Sequence, residues 1–325
     1  MPIIKSKYKA PNFLFRNRHF STVFPSVFRK VKGVNYQRER LEIPDGDFLD
    51  LDWSFANQHD GTKPKIAILT HGLLGDTKRG YMLGCVKAFN LAGWDVLAWN
   101  HRGLSGEPNR LERMTIHGSS DELGFVIDHA IAKGYEHLSL VGFSKGGNIS
   151  LKYAGEKGDN ILPQIKSVVA ISAPCDVYDS VLVMSPKGFY SNIFRDKIKK
   201  FLKGRTHLVN PEKLKEMKNY QTLDEYTGGY IAPLHGFKDA KDYYQQVSCY
   251  PVLHNIRVPS LLLSSIDDPV LSEKCAAKDI AQNSKFLFVE TPQHGGHCGF
   301  YEANENGLYW SDKRIVEFAE SVRLV

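Results

Sequence analysis

The chain has 325 residues, of which 42% are hydrophobic and 24% charged, and its formal net charge is +6. That balance suits one large globular domain with a substantial core, and it excludes disordered and fibrous classes. The five cysteines, Cys85, Cys175, Cys249, Cys275 and Cys298, are scattered and contain no Cys-x-x-Cys pair, so neither a disulfide framework nor a zinc site is expected and a reducing cytoplasm is the expected location.

The N-terminal stretch MPIIKSKYKAPNFLFRNRHF mixes charges with aromatic residues, and no apolar run reaches the length needed to span a bilayer. Neither a signal peptide nor a transmembrane helix is predicted. No acidic residue precedes Glu39, whereas Lys5, Lys7, Lys9, Arg16, Arg18, Arg29, Lys30 and Lys32 all do. Residues 1–35 therefore read as a basic arm, solvated and packed loosely over the domain. With Phe13, Phe15 and Phe20, the same arm could touch an anionic membrane surface. Nucleic acid is not expected as a partner, because no helix-turn-helix, zinc-finger, RNA-recognition or P-loop pattern accompanies the charge.

Apolar and polar residues alternate from Arg38 to Phe55 on both sides of Pro44-Asp45-Gly46, which predicts an antiparallel hairpin. Six apolar runs follow: IAILT (66–70), WDVLAW (94–99), HLSLVGF (137–143), IKSVVAIS (165–172), SLLLSSI (260–266) and KFLFVET (285–291). Helix-sized segments separate most of them, which predicts right-handed βαβ units and a mainly parallel sheet buried on both faces. The interval 174–258 breaks this rhythm with lysine-rich helical stretches and is expected to be an inserted cap on a core made of 36–173 and 259–325. Its Phe189, Tyr190, Phe194, Tyr226, Tyr230 and Phe237 either line an apolar pocket or form the core of the cap.

Gly142-Phe143-Ser144-Lys145-Gly146 joins a predicted strand to a predicted helix. In that context Gly-x-Ser-x-Gly presents a nucleophile on a sharp turn, with glycines where strand and helix must pack closely, and the free N–H groups of the helix start face the site. A serine hydroxyl needs a base and an orienting acid, and in this chain order both should follow later strands. Asp267-Asp268-Pro269 and His294-Gly295-Gly296-His297 are so placed. Asp268 is the preferred acid and Asp267 a turn-capping carboxylate; His297, on a glycine-rich loop, is the preferred base and His294 the alternative. The oxyanion donors are expected to be the backbone N–H groups of Leu73 and Lys145, with His71 bracing the first loop and the Lys145 side chain solvated. A metal site from the two histidines and two aspartates lacks a rigid helix to fix its ligands. His71 to Asp76 also has the spacing of an acyltransferase signature, which its loop context makes a coincidence.

THGLLGD, NHRGLSG, GFSKGG, DDP and GGHCGF, in that order across nearly the whole chain, resemble the α/β-hydrolase superfamily. More narrowly, ERLEIPDGDFLDLDW, GFKDAKDYYQQVS and HGGHCGF are similar to patterns of the bacterial YheT-like hydrolases and their eukaryotic relatives, the ABHD esterases and lipases. The resemblance implies an α/β fold with an eight-stranded sheet, flanking helices and a helical cap. It also implies a serine hydrolase of small-molecule carboxylic esters, with acylglycerols as one class, and the aromatic residues of the cap favour an apolar acyl chain. No cofactor or metal is implied. Val270 departs from the pattern, since many relatives carry phenylalanine after Asp-Pro. Serine at position 144 argues against dehalogenase and epoxide hydrolase chemistry, which uses aspartate there. An acyltransferase or thioesterase using the same serine, and a non-catalytic binding protein with this fold, are the alternatives.

Overall fold

The computed structural model describes residues 2–57, 64–185, 187–303 and 306–322. The strands, in chain order, are β1 (Ile3–Ile4), β2 (Gln37–Glu42), β3 (Phe48–Ser54), β4 (Lys65–Thr70), β5 (Asp95–Trp99), β6 (His137–Phe143), β7 (Ile165–Ile171), β8 (Ser260–Leu263) and β9 (Leu287–Glu290), the last six of them formed by the six apolar runs. They lie in one sheet in the order β1-β9-β8-β7-β6-β4-β5-β3-β2. Only β2 with β3 and β3 with β5 pair antiparallel.

Period-two alternation assigns the two faces of the sheet. Ile66 and Ile68 of β4 join one core with Leu123 and Val126 of α3 (Ser120–Ala132) and Ile149 of α4 (Lys145–Lys157). Ala67 and Leu69 join the other with Met82 and Phe89 of α2 (Gly80–Leu91) and Ile315 and Phe318 of α12 (Trp310–Ser321). The central strands are thus covered on both sides, which is what their continuous apolar runs require. At the edge, β2 is polar, and its Arg38 and Arg40 lie directly across from Asp52 and Asp50 of β3, with guanidinium contacts of 2.6 and 2.8 Å.

Two features differ from the sequence expectation. The sheet of described residues has nine strands instead of eight, because Ile3–Ile4 adds a parallel pair to β9. The N-terminal arm is also not loosely solvated. Tyr8 and Phe15 are buried, and α1 (Arg18–Phe28) leads to an ion pair between Arg29 and Asp312 of α12, with both side chains buried and the guanidinium 3.8 Å over the Tyr309 ring. The basic composition of the arm concealed these anchors, each of which depends on a partner hundreds of residues away.

Between β7 and β8 the chain forms α5 (Val177–Met184), α6 (Phe189–Lys203), α7 (Pro211–Met217), α8 (Leu223–Tyr226), α9 (Ala232–Leu234) and α10 (Ala240–Val247), and α11 (Lys278–Gln282) lies between β8 and β9. Helices α5 to α10 share a core of their own, in which Val177, Ile198, Tyr226, Tyr230 and Tyr244 are buried and Phe237 packs against them. Phe189 is exposed, while Tyr190 and Phe194 line a cavity beside Ser144. No helix among the described residues is long and apolar enough to cross a membrane.

Candidate active site

Ser144 is the junction of β6 and α4, and its backbone has φ 53° and ψ −120°. A side chain other than glycine reaches this region at a cost of roughly 1–3 kcal/mol, so the surrounding structure must over-determine it. Its N–H donates to Ile171 O at 2.8 Å, and its carbonyl accepts from Asn148 N at 3.1 Å. The flanking glycines are required by contact. A Cβ on Gly142 would lie 2.1 Å from Gly146 O, and one on Gly146 would lie 2.2 Å from Thr70 O.

The histidine and aspartate preferred from sequence converge on this serine. His297 Nε2 is 2.9 Å from Ser144 Oγ, and His297 Nδ1 is 2.9 Å from Asp268 Oδ2 and 3.2 Å from Oδ1. Asp268 is buried and also accepts the backbone N–H groups of Val270 and Leu271, at 2.8 and 3.3 Å. A carboxylate that accepts on this side holds the proton on Nδ1 and leaves the Nε2 lone pair facing the serine. His294 and Asp267 form a separate pair at 3.2 Å. Asp267 does not cap its own turn, as expected from sequence. The turn amides belong to Asp268, and Asp267 reaches across to accept Gly296 N–H at 3.0 Å, bracing the histidine loop.

That loop is fixed by groups that sequence reasoning missed. His297 N–H donates to Thr22 Oγ1 of α1 at 2.9 Å, Cys298 N–H donates to Ser172 Oγ at 3.0 Å, and Ser265 Oγ donates to Gly296 O at 2.8 Å. The serines carried a faint signal, since Ser172 ends one predicted strand and Ser265 is the last residue but one of another. Thr22 carried none.

Across the serine, the loop after β4 approaches so closely that a Cβ on Gly72 would lie 3.4 Å from Ser144 Cβ. Gly72 N–H donates to the Tyr81 hydroxyl at 2.9 Å, and Leu73 lines the same cavity as Ser144 and His297. Lys145 begins α4, so its N–H has no carbonyl one turn back within the helix. His71 is a brace: Nδ1 lies 2.8 Å from Gly72 O, while Nε2 accepts His101 N–H at 3.0 Å. One donating and one accepting nitrogen define a neutral ring, and burial pushes its pKa down to about 3. Asp76 pairs with Arg79 and caps Lys78 N–H, and has no contact with His71.

The Lys145 side chain is not solvated. It is 3% exposed, and its Nζ donates to Thr115 O. Burial pushes its pKa down to about 7 against the opposing pull of Glu122. Burial likewise lowers the pKa of His117 to about 3 and that of His101 well below its usual value. The cause is the position of α4, whose first turn lies beneath the loop from His101 to His117 and exposes no side of residue 145. Arg102 anchors that loop through Asp45, Asp47 and Glu122 at 2.7, 2.9 and 2.7 Å, tying the hairpin turn to α3.

Comparison with known proteins adds the lineage. Residues 68–304 match the family model described as the alpha/beta hydrolase fold. The chain is 31% identical over 313 residues to the candidate esterase YheT of Escherichia coli (strain K12), covering 94% of this chain and 90% of that one. It is 25% identical over 350 residues to human monoacylglycerol lipase ABHD2, covering 99% of this chain and 81% of that one. Among solved structures, the Pyrococcus furiosus esterase Pf2001 has a TM-score of 0.58 at 14% identity, covering 91% of this chain and 96% of that one. The 2,6-dihydroxy-pseudo-oxynicotine hydrolase has a TM-score of 0.58 at 15% identity, covering 88% of this chain and 68% of that one.

Proposed function

The chain belongs to the α/β-hydrolase family, and from that premise we propose that it is a carboxylic ester hydrolase that works through an acyl-serine on Ser144. The observation that carries this reading is the unbroken line from Asp268 through His297 to Ser144 Oγ, with 2.9 Å at each histidine nitrogen. Relatives named as a candidate esterase and as a monoacylglycerol lipase support the same class of substrate, acylglycerols included.

In the first step Ser144 Oγ attacks the ester carbonyl carbon while His297 Nε2 takes the hydroxyl proton. The charge that develops on the carbonyl oxygen is met by the N–H groups of Leu73 and Lys145. Asp268 stabilises the imidazolium and holds its orientation. Collapse of the tetrahedral intermediate expels the alcohol, which leaves with the proton from Nε2. Water then enters by the same route, giving a proton to His297 as it attacks the acyl-serine; the second tetrahedral intermediate collapses, Ser144 Oγ takes that proton back from Nε2, and the carboxylic acid departs. None of these steps calls on a cofactor.

The test is hydrolysis of 4-nitrophenyl esters of graded chain length by the purified protein and by Ser144→Ala. The expected result is saturable turnover that falls by at least about 10³-fold in the variant. Undiminished turnover by Ser144→Ala would overturn the assignment.

A peripheral membrane contact through the N-terminal region is proposed on a second observation: Phe13, Val27 and Phe28 are exposed, and the last two are followed in the chain by the exposed Lys30 and Lys32. Co-sedimentation with anionic vesicles should fall in the triple serine variant at 13, 27 and 28, and equal binding would remove the contact. Deleting the arm is a poor test, because Tyr8 and Arg29 are built into the core.

A further inference from the structure

Ser144 stands where two cavities meet. One runs beneath α5, α6 and α10 and is lined by Val181, Met184, Ile198, Leu223 and Tyr243. No acid or lysine lines it, and its His117 is neutral. The other, of about 210 Å³, opens between α1 and α6 and also includes His297.

This open cleft differs in its charge. Arg79, at the start of α2, and Lys197, on α6, both line it, and no aspartate or glutamate does. Among the described residues Lys197 has no ion-pair partner, and Arg79 has only Asp76 at 3.9 Å, a loose contact with both side chains well exposed. The two cations feel each other: the partial desolvation of the cleft and the Arg79 charge both push the Lys197 pKa down, although its side chain reaches solvent. Two like charges lining one cleft beside the serine repel each other, and an anion bound between them relieves the repulsion while keeping both charged. A guanidinium adds a planar fork suited to the oxygens of a phosphate.

We propose that the open cleft is the site for the alcohol part of the ester and that this part carries a phosphate, while the acyl chain enters the apolar cavity. The preferred substrate class is then a phosphate-bearing acyl ester. This inference depends on the ester-hydrolase reading above and deepens it.

The test pairs two soluble esters that differ by one phosphate group, hexanoylglycerol and hexanoylglycerol 3-phosphate. Wild type should hydrolyse the phosphate ester with kcat/KM at least about tenfold higher, an advantage that shrinks at high salt, as electrostatic attraction does. Lys197→Gln and Arg79→Gln should each move the ratio toward one. Equal or lower kcat/KM for the phosphate ester would overturn the proposal. Binding of both compounds to Ser144→Ala by calorimetry separates the two layers of inference. Charge-selective binding without turnover by wild type would refute the hydrolase reading and leave the anion site standing. Equal affinity for both would refute the anion site whatever the turnover.

Discussion

Replacing Thr22 by valine removes one hydroxyl that links the N-terminal helix to the candidate base. Thr22 Oγ1 accepts His297 N–H at 2.9 Å and donates to Arg18 O at 2.7 Å, so valine keeps the shape and deletes both bonds. The half-buried N–H of His297 then lacks a protein partner, which costs about 1–2 kcal/mol. If that cost is expressed as displacement of the imidazole from Ser144, kcat should fall by about 5- to 30-fold. KM should change little, because valine retains the γ-methyl of Thr22 and nearly its volume in the lining of the cleft. Thr22→Ser restores the hydroxyl and should recover most of the rate, and the melting temperatures of all three proteins establish that each is folded. The assay is steady-state hydrolysis of one 4-nitrophenyl ester, supported by the rate of fluorophosphonate labelling. Wild-type kcat in Thr22→Val would show that Thr22 does not position the loop.

Other consequences follow from the packing and the buried charges. Gly146→Ala should fail to hold the serine turn, since its Cβ would sit 2.2 Å from Thr70 O, and soluble expression and esterase activity should both collapse. Arg29→Met leaves the Asp312 carboxylate buried without its cation and should destabilise the protein by about 3–5 kcal/mol in urea unfolding, whereas wild-type stability would contradict the role of the ion pair. The neutral His71, His101 and His117 predict acid lability. Their folded pKa values lie below the unfolded value, so the unfolded chain binds more protons and stability falls as the pH drops from about 6.5 toward 3. Three such groups give a slope near 4 kcal/mol per pH unit at its steepest. Urea midpoints measured from pH 7 to 4 should show it, and a flat profile would refute the buried neutral assignment.

Much of the architecture was legible because its rules are local. Runs such as IAILT and HLSLVGF are too apolar for a half-exposed strand, and the segments between them have helical length; together they specify a parallel sheet covered on both faces. The serine turn was legible for the same reason, as its glycines answer contacts within a few residues of the nucleophile or with the adjacent strand. What could not be read depends on chain closure. The contact of His297 with Thr22 spans 275 positions, and nothing in RNRHFSTVF marks one threonine as a brace. The Lys145 side chain was expected in water because lysine usually is, and only the packing of α4 beneath the 101–117 loop buries it. Asp268 keeps its expected partner, His297, but also takes the turn amides expected of Asp267, for a similar reason. Which one takes the turn amides is decided by side-chain direction, and the identical residue type at 267 and 268 hides that direction.

The central claim is that Ser144 is activated by His297 and Asp268. Its most direct test is fluorophosphonate labelling followed by peptide mapping of the wild type and of Ser144→Ala, His297→Ala, Asp268→Ala, His294→Ala and Asp267→Ala. The predicted result is a single adduct on the peptide containing Ser144, absent or strongly slowed in the first three variants and retained in His294→Ala. Asp267→Ala should label more slowly than wild type but faster than Asp268→Ala, because it loses the Gly296 brace and the His294 pair but no contact with His297. An adduct on another residue, or full labelling of His297→Ala with loss in His294→Ala, would contradict the account.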